Sequence, residues 1–345
     1  MTASGTSRID SLDAVRAVAM FAILISHLNP FREVEGWRLA SRIIDNLTAF
    51  AVPVFFLVAG YLFGRGVQKD GRIGARWWKV TQRLAVLFAG WCLIYALFPV
   101  RGDWSHPLAN LLGVARGAIE HPFVLLFNGT AIHLWFLPAL WMGLSLVALG
   151  AAGRREQWLL PVGAILFIIS RLGYSYAATP VGIPWPFPVC SRYGPMTSTL
   201  LVAIGFLWAK RQTPPRLELA WGLIVAGMAL NLAESYWLGH VYHVPVYQHT
   251  TLFGRELAGV GVFWFALAAP SFGRGTLLPL MGRYTLGVYA THFLVMRLEQ
   301  PLAPMASGLI PPLLWEPLEV VLVYLGAVAL MFLLARIKLT QRLVY

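Results

Sequence analysis

Charge is scarce in this chain. Only 12% of its 345 residues are Asp, Glu, Lys or Arg, about half of what a water-soluble fold carries, which excludes a soluble globular protein. Cysteine is scarcer still: Cys92 lies within an apolar run and Cys190 in a proline-rich stretch. Two cysteines without metal-ligand spacing, at different predicted depths, argue against a disulfide and a zinc site. There is no G-x-S-x-G elbow, P-loop, H-E-x-x-H or dinucleotide fingerprint. Long polar linkers and convincing internal repeats are also missing, so the chain reads as one integral domain over 1-345, without the usual mark of many secondary transporters.

Apolar sequence is what the chain has. Hydrophobic residues make up 58% of it, with 14 Trp and 20 Phe. Runs of 17 to 22 mostly apolar residues suit helices crossing a hydrocarbon layer about 30 Å thick, and the alternating segments of a barrel are absent. The predicted fold is all-α: a polytopic membrane helix bundle of about ten spans, near 12-30, 44-64, 78-99, 131-149, 157-172, 195-209, 217-237, 251-270, 277-298 and 316-336. Residues 101-130 are apolar but interrupted by Arg116, Glu120, His121 and Pro122, and read as an interfacial or re-entrant helix. The first run begins late, contains Arg16 and lacks a small-x-small cleavage site, so it is expected to stay as a span.

A net charge of +12 raises nucleic acid as a partner, but the basic residues sit in short clusters between apolar runs and report topology instead. With the N-terminus cytoplasmic, fifteen of the 27 Lys and Arg fall inside, including Arg8, the Arg65 to Lys79 cluster, Arg154, Arg155 and the tail. Six fall outside, among them Arg101 and Arg192, and six lie in spans. The bias places both termini in the cytoplasm of a multi-pass protein of the cytoplasmic (inner) membrane.

Arg16 and His27 carry the strongest functional signal. Eleven residues apart, they complete three helical turns plus about 20°, so they share one stripe, roughly 16 Å apart along the axis. An arginine in an apolar span costs about 3 to 17 kcal/mol and normally faces a bundle interior or a watery cavity. Asp13, three residues before Arg16, can pair with it. His27 is the side chain best suited to take a proton from a hydroxyl near neutral pH. The bland alternative is a snorkelling Arg and an interfacial His.

Four weaker constellations follow. Arg76, Lys79 and Arg83, spaced three and four apart, form a cationic seat for a polyphosphate such as coenzyme A, or ordinary positive-inside charge against lipid head groups. His133, with Trp135 beside it, could hold a sugar hydroxyl or simply sit at the interface. Tyr289 and His292 share a helical face, with Gly282 and Gly287 allowing close helix approach. Arg255 and Glu256 read as an internal ion pair or polar lining, and Glu234 as the end of the seventh span. The outer loops, rich in aromatics and proline, hold His240, His243 and His249 without metal-pair spacing, so no metal is assigned.

The stretches SLDAVRAVAMFAILISHL, VPVFFLVAGYLFGRG, IHLWFLPAL and GRYTLGVYATHFLV together resemble membrane acyltransferase family 3 over nearly the full chain. The family's defining Arg, ten residues, then His falls on Arg16 and His27. The resemblance implies about ten helices and an acyl-CoA donor, with transfer of the acyl group, often acetyl, to a hydroxyl of an envelope sugar or glycan precursor. It also implies an essential Arg16 and His27, an arginine motif falling on Arg76 with Lys79 or Lys79 with Arg83, and an Arg-Asn position that reads Arg192-Tyr193 here. The second-span Ser-Gly-Phe-Leu reads Ala59-Gly60-Tyr61-Leu62. Some relatives append a soluble esterase-like domain, and this chain is expected to be a standalone member.

The expected reaction is therefore acyl-CoA-dependent O-acyl transfer. Its catalytic residues would be His27, Arg16 and Asp13; Arg76, Lys79 and Arg83 would bind the donor, and His133, Trp135, Arg192, Tyr289 and His292 the acceptor. The expected partners are acyl-CoA, the acceptor and membrane lipids, with no nucleic acid; self-association is left open. A proton-coupled transporter or flippase would use the same buried groups but predicts flux without consumption of acyl-CoA.

Overall fold

In a hydrocarbon layer every backbone N–H and C=O must be satisfied within the protein, so an apolar chain of this kind folds as helices. The computed structural model describes residues 9–100, 104–301, 305 and 309–344; Arg8 and Arg101, counted above in the charge bias, lie outside them. No strand occurs among the described residues. The helices are α1 (Asp10–Leu28), α2 (Arg38–Thr48), α3 (Ala51–Asp70), α4 (Ile73–Leu97), α5 (Pro107–Glu120), α6 (Pro122–Asn128) and α7 (Phe136–Ala152). They continue with α8 (Leu159–Leu172), α9 (Pro195–Trp208), α10 (Leu217–Val241), α11 (Phe253–Ala268), α12 (Leu278–Arg283), α13 (Thr285–Glu299) and α14 (Pro312–Arg336).

Five helical stretches are long and apolar enough to cross a membrane: α1, α2 with α3, α4, α10 and α14. Helices occupy the other expected stretches too, but they run only 14 to 17 residues or are interrupted. The expected span 44-64 is two helices meeting near Ala49 and Phe50, and 277-298 is two meeting at Tyr284. Within the stretch 101-130, the described residues hold α5 and α6, broken at His121 before Pro122, where proline disfavours a continuing helix. Neither buries a residue, and both are shorter than the roughly 20 residues a span needs. Glu234 does not end its helix, as expected above, but lies inside α10. Its carboxylate accepts the Tyr176 hydroxyl and the backbone N–H groups of Phe253 (3.1 Å) and Gly254 (2.7 Å), capping the start of α11 from a neighbouring helix.

α1 is central, packing against α2, α3, α11, α12, α13 and α14, with Ala19, Met20 and Leu24 wholly buried. α4, α10 and α14 leave apolar faces exposed, as at Leu93, Val225 and Leu325, where lipid can cover them. Small residues set the contact between α10 and α11. A Cβ on Gly227 of α10 would strike the Ala258 backbone of α11, and one on Gly254 of α11 would strike the Asn231 backbone of α10. Because the obstacle is backbone, Gly227→Val is expected to cost about 3 kcal/mol, the upper end for overpacking. The check is a lowered melting temperature of the detergent-purified protein.

Candidate functional site

A cavity of about 500 Å³ runs through the bundle, within the range of about 300 to 1,000 Å³ typical of small-molecule sites. Its wall on α1 carries both Arg16 and His27, as their shared helical stripe predicts. On α3 the wall extends from Ala51 to Phe63, twelve steps or about 18 Å of helix. Ser26 on α1 donates to Asp45 at the end of α2 (3.3 Å), and Arg76 lies over Gly66 near the end of α3. α3 therefore runs from the His27 end of the cavity back to a basic end near Arg16.

Asp13 is buried and does not line the cavity. It accepts a 3.0 Å bond from Arg16 Nη1, while Arg16 Nη2 donates to Thr285 Oγ1 at 3.0 Å. Thr285 Oγ1 in turn donates to the Gly282 carbonyl at 3.1 Å. A Cβ at Gly282 would collide with the Asp13 backbone, so glycine brings α12 against α1 and places Thr285 under the guanidinium. Asp13 thus orients Arg16 and does not itself face the cavity.

His27 ranks as exposed although helices surround it, because its open face belongs to the cavity. Behind it the His292 ring stacks at 5.5 Å and Phe293 meets it edge-on at 4.8 Å. His292, expected to contact the acceptor, is wholly buried, does not line the cavity and packs behind His27. Its Nδ1 lies 2.6 Å from the Tyr289 carbonyl, an acceptor, so Nδ1 carries the hydrogen and Nε2 is left without a partner in the neutral ring. His133, just before α7, stacks on Phe293 at 4.5 Å and lies 5.1 Å from the His292 ring. It lines the cavity with both ring nitrogens unbonded, while the Tyr289 hydroxyl donates to its carbonyl at 2.5 Å.

At the basic end Arg76, Lys79 and Arg83 of α4 all reach the cavity. Arg76 is held by Asp70 through Nε (2.9 Å) and Nη2 (2.7 Å), a bidentate pairing the charge pattern did not indicate. Lys79 and Arg83 make no ion pair among the described residues.

The His27 end is lined by Trp135, Tyr289, Arg192, Arg255, Thr250 and Thr251. Arg192 lies 4.9 Å over the Tyr193 ring and 5.6 Å over Trp135. Of the two readings offered for Arg255 and Glu256, internal ion pair or polar lining, the second holds: both line the cavity, and they do not pair with each other. Adjacent helical residues point about 100° apart, and Glu256 instead bonds Arg171 of α8, which is wholly buried. Arg255 donates to the carbonyls of Ala49 and His249. Burial lowers the His249 pKa; Ser235 Oγ meets its Nδ1 at 2.8 Å and its Nε2–H donates to the Val244 carbonyl at 3.0 Å. Burial likewise raises the Tyr193 phenol and the Cys190 thiol, keeping both protonated.

Nine of the expected site residues therefore share one cavity: Arg16, His27, Arg76, Lys79, Arg83, His133, Trp135, Arg192 and Tyr289. Sequence reasoning missed Ser26, Thr197, Thr250, Thr251 and Thr285, since a lone hydroxyl gives no periodic signal. It read Arg255 as part of an ion pair or polar lining without counting it among the site residues.

Six cations and one carboxylate, Glu256, line this space. No solved structure matches the chain. A curated amino-acid racemase of Enterococcus faecalis is 27% identical over 146 residues, covering 41% of this chain and 19% of the racemase. This chain thus spans about a fifth of that relative's length. The sequence profile of the acyltransferase 3 family, an acyltransferase domain, matches residues 9–336. With a match across nearly its whole described length, the chain belongs to the acyltransferase 3 family.

Proposed function

We propose that this integral membrane protein transfers an acyl group, acetyl in the simplest case, from cytoplasmic acyl-CoA to a hydroxyl of an envelope sugar or glycan precursor. The observation that carries the reading is one cavity bounded by Lys79 and Arg83 at one end, His27 at the other and Arg16 between. In this reading the chain crosses the inner membrane about ten times with both termini in the cytoplasm, so the basic end faces the donor supply. The roughly 16 Å between Arg16 and His27 is of the same order as the pantetheine arm.

Lys79 and Arg83 hold the donor's phosphates by charge-assisted bonds, and Arg16, fixed by Asp13 and Thr285, orients the donor where its arm sets out toward His27. His27 takes the proton of the acceptor hydroxyl as its oxygen attacks the thioester carbonyl. The carbon–sulfur bond breaks, and the thiolate recovers the proton from His27. His292 and Phe293 keep the imidazole facing the cavity.

The test is purified protein in detergent with acetyl-CoA labelled in its acetyl group and an envelope extract: label moving to an extract component supports the reading. Flux of a solute with acyl-CoA unconsumed overturns it in favour of transport. The donor seat has its own check. Each charge-assisted bond contributes about 1.5 to 3 kcal/mol, so Lys79→Gln with Arg83→Gln is expected to raise the KM for acetyl-CoA a hundredfold or more, with a smaller effect on kcat.

A further inference from the structure

An unpaired charge in apolar surroundings is costly, so it persists where a counter-ion or ligand balances it. Three of the ionic groups in or beside the cavity are paired: Arg16 with Asp13, Arg76 with Asp70 and Glu256 with Arg171. Four cavity cations have no carboxylate contact among the described residues. Lys79 and Arg83 are accounted for by the donor. Arg192 and Arg255, at the opposite end beside His27, are not.

Both are half-buried, and every partner that holds them is neutral. Arg192 Nη1 donates to Thr250 Oγ1 (3.0 Å) and the Tyr174 hydroxyl (3.4 Å), and its plane lies over the rings of Tyr193, Trp135 and Tyr174. Arg255 donates from Nε to the Ala49 carbonyl and from Nη1 to the His249 carbonyl, both at 3.3 Å. These contacts fix the two guanidinium groups and leave Nη2 of each unengaged among the described residues. Arg192 is near enough to act electrostatically on both His27 and Arg255. Glu256 and Asp45 also act on Arg255, but Glu256 is bonded by Arg171, and Asp45 accepts from Ser26. Trp135, Thr197, Thr250 and Thr251 complete the wall with an aromatic face and hydroxyls, a surface that suits a sugar ring.

We propose that Arg192 and Arg255 form an oxyanion subsite beside His27, and that the acceptor is an anionic hydroxyl compound, a sugar acid or sugar phosphate, whose charged group they hold while a hydroxyl faces His27. This rests on the transfer reading above. The same pair could grip a carboxylate carried by the acyl group instead; the acceptor is favoured because the pair lies at the end of the cavity away from the donor's phosphate seat.

The experiment measures binding to the full chain in detergent, with glucuronate, glucose, acetyl-CoA and succinyl-CoA as probes. Glucuronate is expected to bind at least tenfold more tightly than glucose, with the preference shrinking as salt rises. Arg192→Gln and Arg255→Gln should each weaken glucuronate tenfold or more, the effect of about one charge-assisted bond, while acetyl-CoA affinity and melting temperature stay unchanged. Equal affinity for the two sugars, no saturable glucuronate binding, or variants that bind glucuronate as before would overturn the proposal. So would a selective loss of succinyl-CoA affinity relative to acetyl-CoA, which would assign the pair to the acyl group. Should a variant fail to fold, the native chain's choice between glucuronate and glucose still decides. The donor reading fails separately, if acetyl-CoA does not bind at all.

Discussion

His27→Ala is expected to abolish acyl transfer while leaving a folded, membrane-inserted protein. A positioned general base contributes roughly a hundred- to ten-thousandfold, and the two neighbouring imidazoles have their unbonded ring nitrogens buried. His292 is buried behind His27, and His133 is packed between Phe293 and the Tyr95 and Tyr289 rings. Stability should change little, because the open face of His27 belongs to the cavity and the aromatic cluster behind it remains. The measurement is acetyl transfer to the labelled acceptor beside a melting curve. Near-native transfer by the alanine variant would remove His27 from the mechanism; a collapsed melting temperature would make its role structural. His292→Phe keeps the stacked ring and removes the Nδ1–H bond to Tyr289. It should lower kcat by about tenfold or less, since His292 acts through the orientation of His27.

The second large effect is on folding. Arg171 is wholly buried, bonded to Glu256 through Nη2 and placed 3.4 Å from the Phe167 ring centre. Its Nε and Nη1, and Glu256 Oε2, have no partner. Removing one member of such a pair leaves the other charge uncompensated, at about 3 to 5 kcal/mol. Glu256→Ala and Arg171→Ala should therefore each lower the melting temperature sharply. Replacing both together, Arg171→Met with Glu256→Gln, should cost less than either alanine variant, because no lone charge remains. A double variant as unstable as the two singles summed would mean that the two ions act independently, and the pairing argument would fail.

Much of the site follows from period alone. Arg16 and His27 face one space because eleven residues return a helix to the same side, and Asp13 pairs with Arg16 because three residues nearly do. The cations at 79 and 83 line the same wall for the same reason. Wherever two helices had to be compared, period was silent. Arg255 and Glu256 are neighbours in the chain and read as an ion pair or as polar lining; both line the cavity, but the fold gives Glu256 its ionic partner on α8. Arg76 found Asp70 across the turn from α3 to α4. His292, on a promising face of its helix, packs behind His27 and not on the cavity wall.

Composition and helical repeat were enough to determine an all-helical membrane chain and the stripe joining Arg16 to His27, because side-chain direction within one helix depends on residue count alone. The close approach of α1 and α12 at Gly282, the partner of Glu256, and the placing of Arg192 and Arg255 in the same cavity as His27 were decided only by tertiary structure. Those outcomes depend on the depth and rotation at which separate helices pack, set by small residues and steric fit between segments far apart in the chain, which no spacing within a segment encodes.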